Sequence, residues 1–176
     1  IEYDGILWHT EKYGKDRYYH LNKTEECNKN GIGLIHIFDD EYYHHKEIVL
    51  SKIRHLLKVN DKSQLVIPGR KCCISEIETN AAKEFLEKNH IQGFVKSTLY
   101  LGAFYQDKLV AVMSFIKESS SIWNLVRYAS LIDSVCQGVG GKIFKHFIRK
   151  YNPKEIKAFA DRRWTLWCDN NLYTKI

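Results

Sequence analysis

Long apolar runs are absent from this sequence of 176 residues, and several common classes of protein are excluded with them. No run approaches the roughly 20 apolar residues that are needed to cross a bilayer, and no signal peptide is visible. Internal repeats and low-complexity tracts are missing as well. What remains is a composition of 44% hydrophobic and 27% charged residues, which is typical of a soluble globular protein with one ordinary domain or two small ones.

Cysteine and histidine also lack the spacings of common metal and disulfide motifs. The cysteines form neither the CxxC pairs of a zinc ribbon nor a dense disulfide scaffold. These five residues are Cys27, Cys72, Cys73, Cys136 and Cys168. The adjacent His44 and His45 point in different directions on a predicted helix and do not form a chelating i, i+4 pair. We therefore expect reduced thiols, a cytoplasmic protein and no zinc site.

Positive charge is unevenly distributed along the chain, whose formal net charge is +6. Residues 1–69 carry 10 Lys and Arg against 11 Asp and Glu, whereas residues 70–176 carry 17 against 10. The second half therefore holds the entire excess, which fits a polyanion-binding half joined to a carboxylate-bearing half. A solvated basic surface with no role in nucleic-acid binding is the alternative.

Hydrophobic periodicity predicts alternating strands and helices throughout the chain, and hence an α/β (α+β) fold. The predicted strands are 1–9, 34–38, 71–77, 99–105, 109–116, 122–129 and 156–160. The predicted helices are 18–30, 39–57, 80–89 and the segment that follows the glycine-rich turn at 138–141. A polar segment at 60–64 precedes Pro68 and Gly69, so we place the domain boundary between residues 1–66 and 67–176.

Two carboxylates occupy the first predicted strand. The strand period of two places Glu2 and Asp4 on the same side, where two acids among apolar residues are costly to bury unless they bind a cation or each other. Adjacent carboxylates can hold Mg²⁺ with waters in its remaining positions, so we expect half of a magnesium site here. A strand edge with two solvated acids is the alternative.

Three further polar residues could complete the chemistry of this site. His9 comes near the end of the same strand, where a histidine can give a proton to a leaving oxygen or orient an attacking water. His20 and Lys23 share a helix face through their i, i+3 spacing. An ordinary surface histidine and a solvated polar helix face are the alternatives. His36 alternates with isoleucines in a strand and is interpreted as a satisfied core or edge residue.

The basic half contains two candidate sites for phosphate contact. The glycine turn that ends at Lys142 could expose backbone N–H groups to a phosphate, although it has neither Walker A nor Rossmann spacing. Arg162, Arg163 and Trp164 combine cations with a flat aromatic surface, which suits phosphate contact and base stacking. A tight turn without a ligand and a cation–π pair at the edge of a core are the alternatives.

Three blocks in residues 1–41 together resemble the Vsr-like nucleases, relatives of the very-short-patch mismatch repair endonuclease within the PD-(D/E)XK fold, which recur among phage homing endonucleases. The blocks are 1–9, 19–24 and 31–41. The resemblance implies that Glu2 is the second acidic residue of that fold, that Asp4 stands where many members have a lysine, and that His9 is the histidine after the tryptophan. It places His20 near a downstream aspartate. It also implies that the first acidic ligand lies on a strand before Glu2, so that the chain is a fragment without a complete cleavage site.

The second half, from residue 71 onward, is similar in the order of its elements to the core of a GNAT-type acetyltransferase. Its strand hairpin, third strand, glycine turn and helix follow that order. The acetyl-CoA loop of the family has Gln or Arg followed by glycines at set intervals, and residues 137–142 depart from this pattern. The resemblance therefore implies a GNAT-like scaffold that contacts DNA or protein.

From these observations we predict a truncated restriction-endonuclease-like domain followed by a basic GNAT-like α/β domain. The predicted function is Mg²⁺-dependent hydrolysis of double-stranded DNA by a homing endonuclease in the cytoplasm of an infected host cell. Glu2 and Asp4 would hold the metal, and His9, His20 and Lys23 would complete the catalytic site. The DNA-binding residues would be Lys142, Arg162, Arg163 and Trp164. The alternatives are a GNAT-type acyltransferase that uses acetyl-CoA and a non-catalytic DNA-binding remnant.

Overall fold

The computed structural model describes residues 1–5, 16, 18–59 and 64–165, which form a mixed α/β structure. Its strands are β1 (Glu2–Asp4), β2 (His36–Phe38), β3 (Leu65–Pro68), β4 (Cys73–Glu76), β5 (Leu99–Tyr105), β6 (Lys108–Lys117), β7 (Ile122–Ser130), β8 (Ser134–Gln137) and β9 (Glu155–Ala158). Its helices are α1 (Tyr19–Lys29), α2 (Asp39–Leu56), α3 (Thr79–Asn89), α4 (Val139–Tyr151) and α5 (Arg162–Thr165), with a 3₁₀ turn at Gly69–Lys71. These bounds confirm most of the predicted elements and add β3, β8, the 3₁₀ turn and α5, which no sequence pattern predicted. Residues 6–9 of the first predicted strand lie outside the described residues.

A small parallel sheet begins the chain. Its strands β1 and β2 align Glu2 with His36 and Asp4 with Phe38. Helix α2 packs against this sheet through a compact apolar cluster that also includes a residue from beyond α3. The buried members of this cluster are Ile35, Ile37, Ile48, Val49 and Ile91. The small sheet therefore packs on its own apolar cluster, and Ile91 joins this cluster to the second half of the chain.

Both helices of the first half follow the sequence signals at their ends. α1 ends at Lys29, and Gly31 follows with a left-handed φ of +70°, as expected for a C-terminal stop. α2 begins with three acidic residues, whose negative charge complements the helix dipole. The apolar period of the predicted helix 39–57 also predicts that Leu57 is buried, and this is wrong, because α2 ends one residue earlier and the side chain is 59% exposed.

The central sheet has the strand order β4-β5-β6-β7-β9. Strands β4 to β7 pair antiparallel, and β9, which follows α4, pairs parallel with β7. Because strand side chains alternate between the two faces, Tyr100 and Val112 pack with α3, whereas Leu101 and Met113 pack with α4. The two helices therefore cover opposite faces of the sheet.

Helix α4 contributes the aromatic centre of the larger core. Phe147 is fully buried and stacks on Phe115 of β6, with ring centroids 3.8 Å apart. Trp123 of β7 meets the same ring edge-on at 5.3 Å. This packing holds the N-terminal turn of α4 in a fixed place relative to the sheet.

A second parallel pair, β3 with β8, lies beside the glycine turn that begins α4. The pairing aligns Leu65 with Ser134 and Pro68 with Gln137. It brings the 3₁₀ turn against the glycine turn, where a Cβ added at Gly69 would lie only 2.8 Å from the carbonyl carbon of Gly138. The predicted boundary after residue 66 falls inside β3, and the division into two domains stays a prediction.

The restriction-endonuclease-like domain predicted for residues 1–66 is not supported. In the described part of that range, β1 and β2 form a sheet of only two short strands, and β3 joins β8 from the second half instead. The central mixed sheet is built from residues after 72. No described helix is both long and apolar enough to cross a membrane, and the cytoplasmic location stays a prediction.

Candidate functional site

A carboxylate and two imidazoles meet where β1, β2 and α1 come together. The Nδ1 atom of His36 lies 2.7 Å from Oδ2 of Asp4 and 3.3 Å from Nδ1 of His20. The third distance, from His20 Nδ1 to the same carboxylate oxygen, is 3.6 Å. These three potential ligand atoms all lie within 4.8 Å of one another. Asp4 and His36 are buried, whereas the His20 side chain is 24% exposed.

Glu2 and Lys23 lie at the border of this cluster. The Lys23 ammonium donates to Oε1 of Glu2 at 2.6 Å, and this hydrogen bond raises the pKa of Lys23. The other carboxylate oxygen, Oε2, lies 3.6 Å from His36 Nδ1. Glu2 and Asp4 thus approach the same imidazole, which confirms that the period of two places them on one side of β1.

Four of the five residues predicted for catalysis therefore come together, namely Glu2, Asp4, His20 and Lys23. The fifth, His9, lies outside the described residues. The residue that sequence reasoning missed is His36, which was interpreted as a satisfied core or edge residue. It is buried as expected, yet it is the centre of the cluster. Only its alignment with Glu2 across the small parallel sheet reveals this role, and a pairing between distant strands has no signal in either strand alone.

A basic groove of about 920 Å³ opens at the other candidate site, the glycine turn before α4. Gly138 has a φ of +70° and is the N-cap residue of α4, so the rest of the predicted glycine turn, residues 139–141, forms the first turn of this 13-residue helix. The residues that line the groove include five basic side chains and no acidic one. The basic residues are Arg70, Lys142, Lys145, His146 and Arg149. The groove therefore offers a helix N-terminus and concentrated positive charge to an anion.

Two of the groups at this turn already have partners inside the protein. The ammonium of Lys142 donates to the backbone carbonyls of Arg70 and Cys72, at 3.0 and 2.7 Å. Burial raises the pKa of the Tyr128 phenol. The Gly140 N–H donates a hydrogen bond to the phenol oxygen, which lowers the pKa but offsets only part of this rise. At neutral pH, Tyr128 is therefore a protonated hydroxyl beside the turn.

A separate cleft of about 430 Å³ lies beside β7, beyond the end of β9. The two strands pair only as far as Leu125 of β7 and Ala158 of β9, although β7 continues to Ser130. Residues 124–127 of β7 and residues 159–161, which follow β9, line the cleft, together with Gln92 and Ile116. Because β9 ends at Ala158, it leaves the remaining edge of β7 uncovered.

The other residues predicted to bind DNA have structural partners in the fold. The Arg163 guanidinium makes two hydrogen bonds to the Glu41 carboxylate, at 2.7 and 2.9 Å, and also binds Asp161. Trp164 packs beside the small apolar cluster, with the Lys52 ammonium 4.9 Å above its ring. Of Arg162, the structure describes only the backbone, in α5. Contact between these residues and DNA stays a prediction.

The comparisons with known proteins found distant similarity to solved structures. No family model and no curated protein matches the chain. Among solved structures, it is similar to a GNAT-family acetyltransferase from Streptococcus pneumoniae, with 14% identity and a TM-score of 0.43, over 51% of this chain and 76% of the other. It is also similar to an aminoglycoside acetyltransferase from an uncultured soil metagenomic sample, in complexes with sisomicin and with trehalose. These have 16% and 15% identity and TM-scores of 0.45, over 61% of this chain and 89% of the other.

The prediction of a Vsr-like, metal-dependent homing endonuclease is therefore wrong, because the solved structures that resemble the chain are acetyltransferases. The geometry of the first half supplies a physical reason. Asp4 is fully buried and bound to His36, so its carboxylate is not presented to a phosphate on a DNA duplex. Glu2 is paired with Lys23. Binding of double-stranded DNA by the basic half, and binding of Mg²⁺, stay predictions.

Proposed function

We propose that this protein is an acyltransferase that takes an acyl group from acetyl-CoA and passes it to an amine. The observation that carries this proposal is the basic groove, free of acidic lining residues, at the glycine turn before α4. Acetyl-CoA carries phosphate groups at one end and an extended, amide-containing arm that ends in a thioester. A groove with a helix N-terminus and several cations suits the phosphate end of such a molecule.

The charge and shape of the groove favour a nucleotide phosphate over a simple anion. Lys145 and Arg149 are exposed on consecutive turns of α4, and both line the groove. Ile74, Phe144 and Ile148 provide apolar surface between the charges. A volume of about 920 Å³ lies near the upper end of the usual range for small-molecule and cofactor sites. Apolar lining with a few placed charges is the usual composition of such sites.

The cleft beside the uncovered edge of β7 suits the other end of acetyl-CoA. Beyond Leu125, β7 is no longer paired with β9, so its backbone groups can pair with the amides of an extended chain, as an added strand would. We place the thioester arm along this edge and the acceptor amine in the cleft of about 430 Å³. Gln92, Asn124 and Arg127 supply polar lining for the acceptor, together with Asp161, which is also bound by Arg163.

The proposed reaction replaces a thioester by an amide. The amine nitrogen attacks the carbonyl carbon of the acetyl group, a C–N bond forms, and the C–S bond breaks. The nitrogen loses one proton, and the departing sulfur of coenzyme A ends as a thiol. The main contribution of the chain is to hold the two reactants in the right geometry.

Acetyl-CoA binding and thiol release test this function. We expect acetyl-CoA to raise the midpoint of thermal unfolding, since a ligand that binds only the folded state stabilises it. Replacing Lys145 by Glu should weaken binding about tenfold or more, because a charge in the groove is reversed. The matched control is Lys83→Glu, which reverses an exposed charge on α3, on the opposite face of the sheet, and it should leave the affinity unchanged.

Two results would reject the proposal. One is the absence of any shift with acetyl-CoA at millimolar concentration, together with no thiol release in a panel of primary amines. The other is an affinity that falls equally in Lys145→Glu and Lys83→Glu, because binding would then depend on net charge and not on the groove. Salt-sensitive binding of duplex DNA in place of acetyl-CoA would instead favour the predicted DNA partner.

A further inference from the structure

We propose that Asp4, His20 and His36 bind one divalent transition-metal ion, which clamps β1, α1 and β2 together. This site is separate from the groove and cleft of the proposed acyltransferase and does not depend on that function. It also replaces the sequence-based expectation that the chain has no zinc site, which considered only neighbours along the chain.

The distances within the cluster match those between ligands of one ion. Zn²⁺ binds imidazole nitrogens and carboxylate oxygens at about 2.0–2.2 Å, so neighbouring ligands are roughly 3.3 Å apart in a tetrahedron and roughly 2.9 Å apart in an octahedron. The three separations among His20 Nδ1, His36 Nδ1 and Asp4 Oδ2 are 3.3, 2.7 and 3.6 Å. The ligand atoms therefore already surround a space of about the right size.

Thr24 fixes the orientation and the proton of His36. The Thr24 hydroxyl donates its only hydrogen to the backbone carbonyl of His20, one helical turn earlier, at 2.8 Å. Its oxygen is then an acceptor for Nε2 of His36, at 3.1 Å, so Nε2 carries a hydrogen. In a neutral imidazole, this leaves Nδ1 with a lone pair, which is the form that binds metal ions.

That lone pair points toward another electron-rich atom. The Nδ1 atom of His36 lies 2.7 Å from the Asp4 carboxylate, and His20 Nδ1 is the third atom nearby. Neutral imidazole and carboxylate repel at this distance unless a cation lies between them. Without a metal, the three contacts need a hydrogen on His36 Nδ1 and another on His20 Nδ1, whereas one metal ion accounts for all three.

The ligand types select a class of metal. Two imidazole nitrogens and one carboxylate oxygen suit Zn²⁺, Fe²⁺, Co²⁺ or Ni²⁺, whereas Mg²⁺ takes oxygen ligands. Glu2 is placed to assist, since its Oε2 atom lies 3.6 Å from His36 Nδ1. Because two of the three ligands are buried, the ion would lie largely inside the protein, with Glu2 or a water in its remaining position.

The test uses the whole chain, freed of metal with a chelator and titrated with Co²⁺. We expect one equivalent to bind and to produce the visible absorption of Co²⁺ with nitrogen and oxygen ligands. One equivalent of Zn²⁺ should displace it, and a large excess of Mg²⁺ should not. Zn²⁺ should also raise the midpoint of thermal unfolding.

Three variants separate a metal site from a buried ion pair. His20→Ala removes a ligand whose side chain is partly exposed, so the fold should persist, and Co²⁺ affinity should fall more than about 100-fold. Thr24→Val removes only the hydroxyl that orients His36, and the expected loss is 10- to 100-fold, as is typical for groups that support metal ligands. His44→Ala, an exposed histidine on α2, should change nothing.

The proposal is overturned if Co²⁺ produces no saturable absorption at one equivalent, since the cluster is then a His36–Asp4 ion pair. It is also overturned if His20→Ala, shown to be folded by circular dichroism, binds Co²⁺ as tightly as His44→Ala. Displacement of Co²⁺ by Mg²⁺ at similar concentrations would contradict the assignment to a transition metal. None of these outcomes bears on acetyl-CoA binding, which is measured separately.

Discussion

The tight contact between Gly69 and the glycine turn leads to a quantitative prediction for Gly69→Ala. A Cβ at this position would lie 2.8 Å from the carbonyl carbon of Gly138 and 2.9 Å from the carbonyl oxygens of Gln137 and Gly138. Carbon atoms in good contact are about 3.5–4.0 Å apart, so a movement of roughly 0.7 Å or more is required. All three atoms belong to the backbone, and no side chain can rotate to make room.

The expected cost follows from two opposing effects. Overpacking of a well-packed region typically costs about 1–3 kcal/mol. The Ala residue also has less freedom in the unfolded chain than Gly, which returns about 0.4–1 kcal/mol. Gly69→Ala should therefore lower the free energy of unfolding by about 1–2 kcal/mol. It should also weaken acetyl-CoA binding, because the displaced turn lines the groove.

Gly141→Ala is the matched control for this prediction. Gly141 lies in the first turn of α4, and a Cβ there would meet no atom within 4 Å. Because Ala favours a helix over Gly, this variant should gain about 0.5–1 kcal/mol. The assay is urea unfolding of both variants and the wild type at one pH. If Gly69→Ala were as stable as Gly141→Ala, the close packing of the 3₁₀ turn on the glycine turn would be refuted.

Three further predictions concern stability and use the same unfolding assay. Burial lowers the pKa of His90 to about 3, so below pH 6.5 the unfolded state takes up a proton that the native state does not. Stability should fall as the pH drops from 7 to 5, by up to about 2 kcal/mol, and a His90→Asn variant that kept the same pH slope would contradict this. Arg163→Gln should cost about 2–3 kcal/mol by leaving partly buried carboxylates without their partner. The exposed pair broken by Lys150→Gln should cost less than about 1 kcal/mol, and equal costs would refute the role of burial. Phe147→Ala should cost about 3–5 kcal/mol because it empties the centre of the larger core, and a loss below 1 kcal/mol would be inconsistent with the stacked packing.

Hydrophobic periodicity was sufficient to predict the helices and strands whose faces differ in polarity. The hairpin of β5 and β6 and the third strand β7 were predicted almost to the residue, because each repeats its apolar side chains at a regular spacing. Helix α4 was also predicted, but it begins at Val139, inside the predicted glycine turn. Strands β3 and β8 were missed. Each has only four residues, and β3 exposes both Leu65 and Val66, so neither carries a period long enough to recognise.

In the candidate metal site, too, one part was predictable from the sequence and the other was not. The sequence alone determined that Glu2 and Asp4 share a side of their strand, because the period of two is a local property of the backbone. Only the tertiary structure decided that His36 is their partner, since the parallel pairing of β1 with β2 joins residues more than 30 positions apart. The sequence-based interpretation therefore found the acids and assigned them to the wrong chemistry.

In the basic half, the composition of the sequence predicted the kind of ligand, but the positions of the basic residues along the chain did not predict which of them would face it. The excess of positive charge and the glycine turn were visible in the sequence and indicated a polyanion ligand. Which cations face that ligand is a tertiary property. In the folded chain, Arg163 donates hydrogen bonds to Glu41, whereas Lys145 and Arg149 line the groove. Local periods and charge counts depend on neighbours along the chain, whereas a binding site depends on neighbours in space, and only the packed sheet and helices decide those.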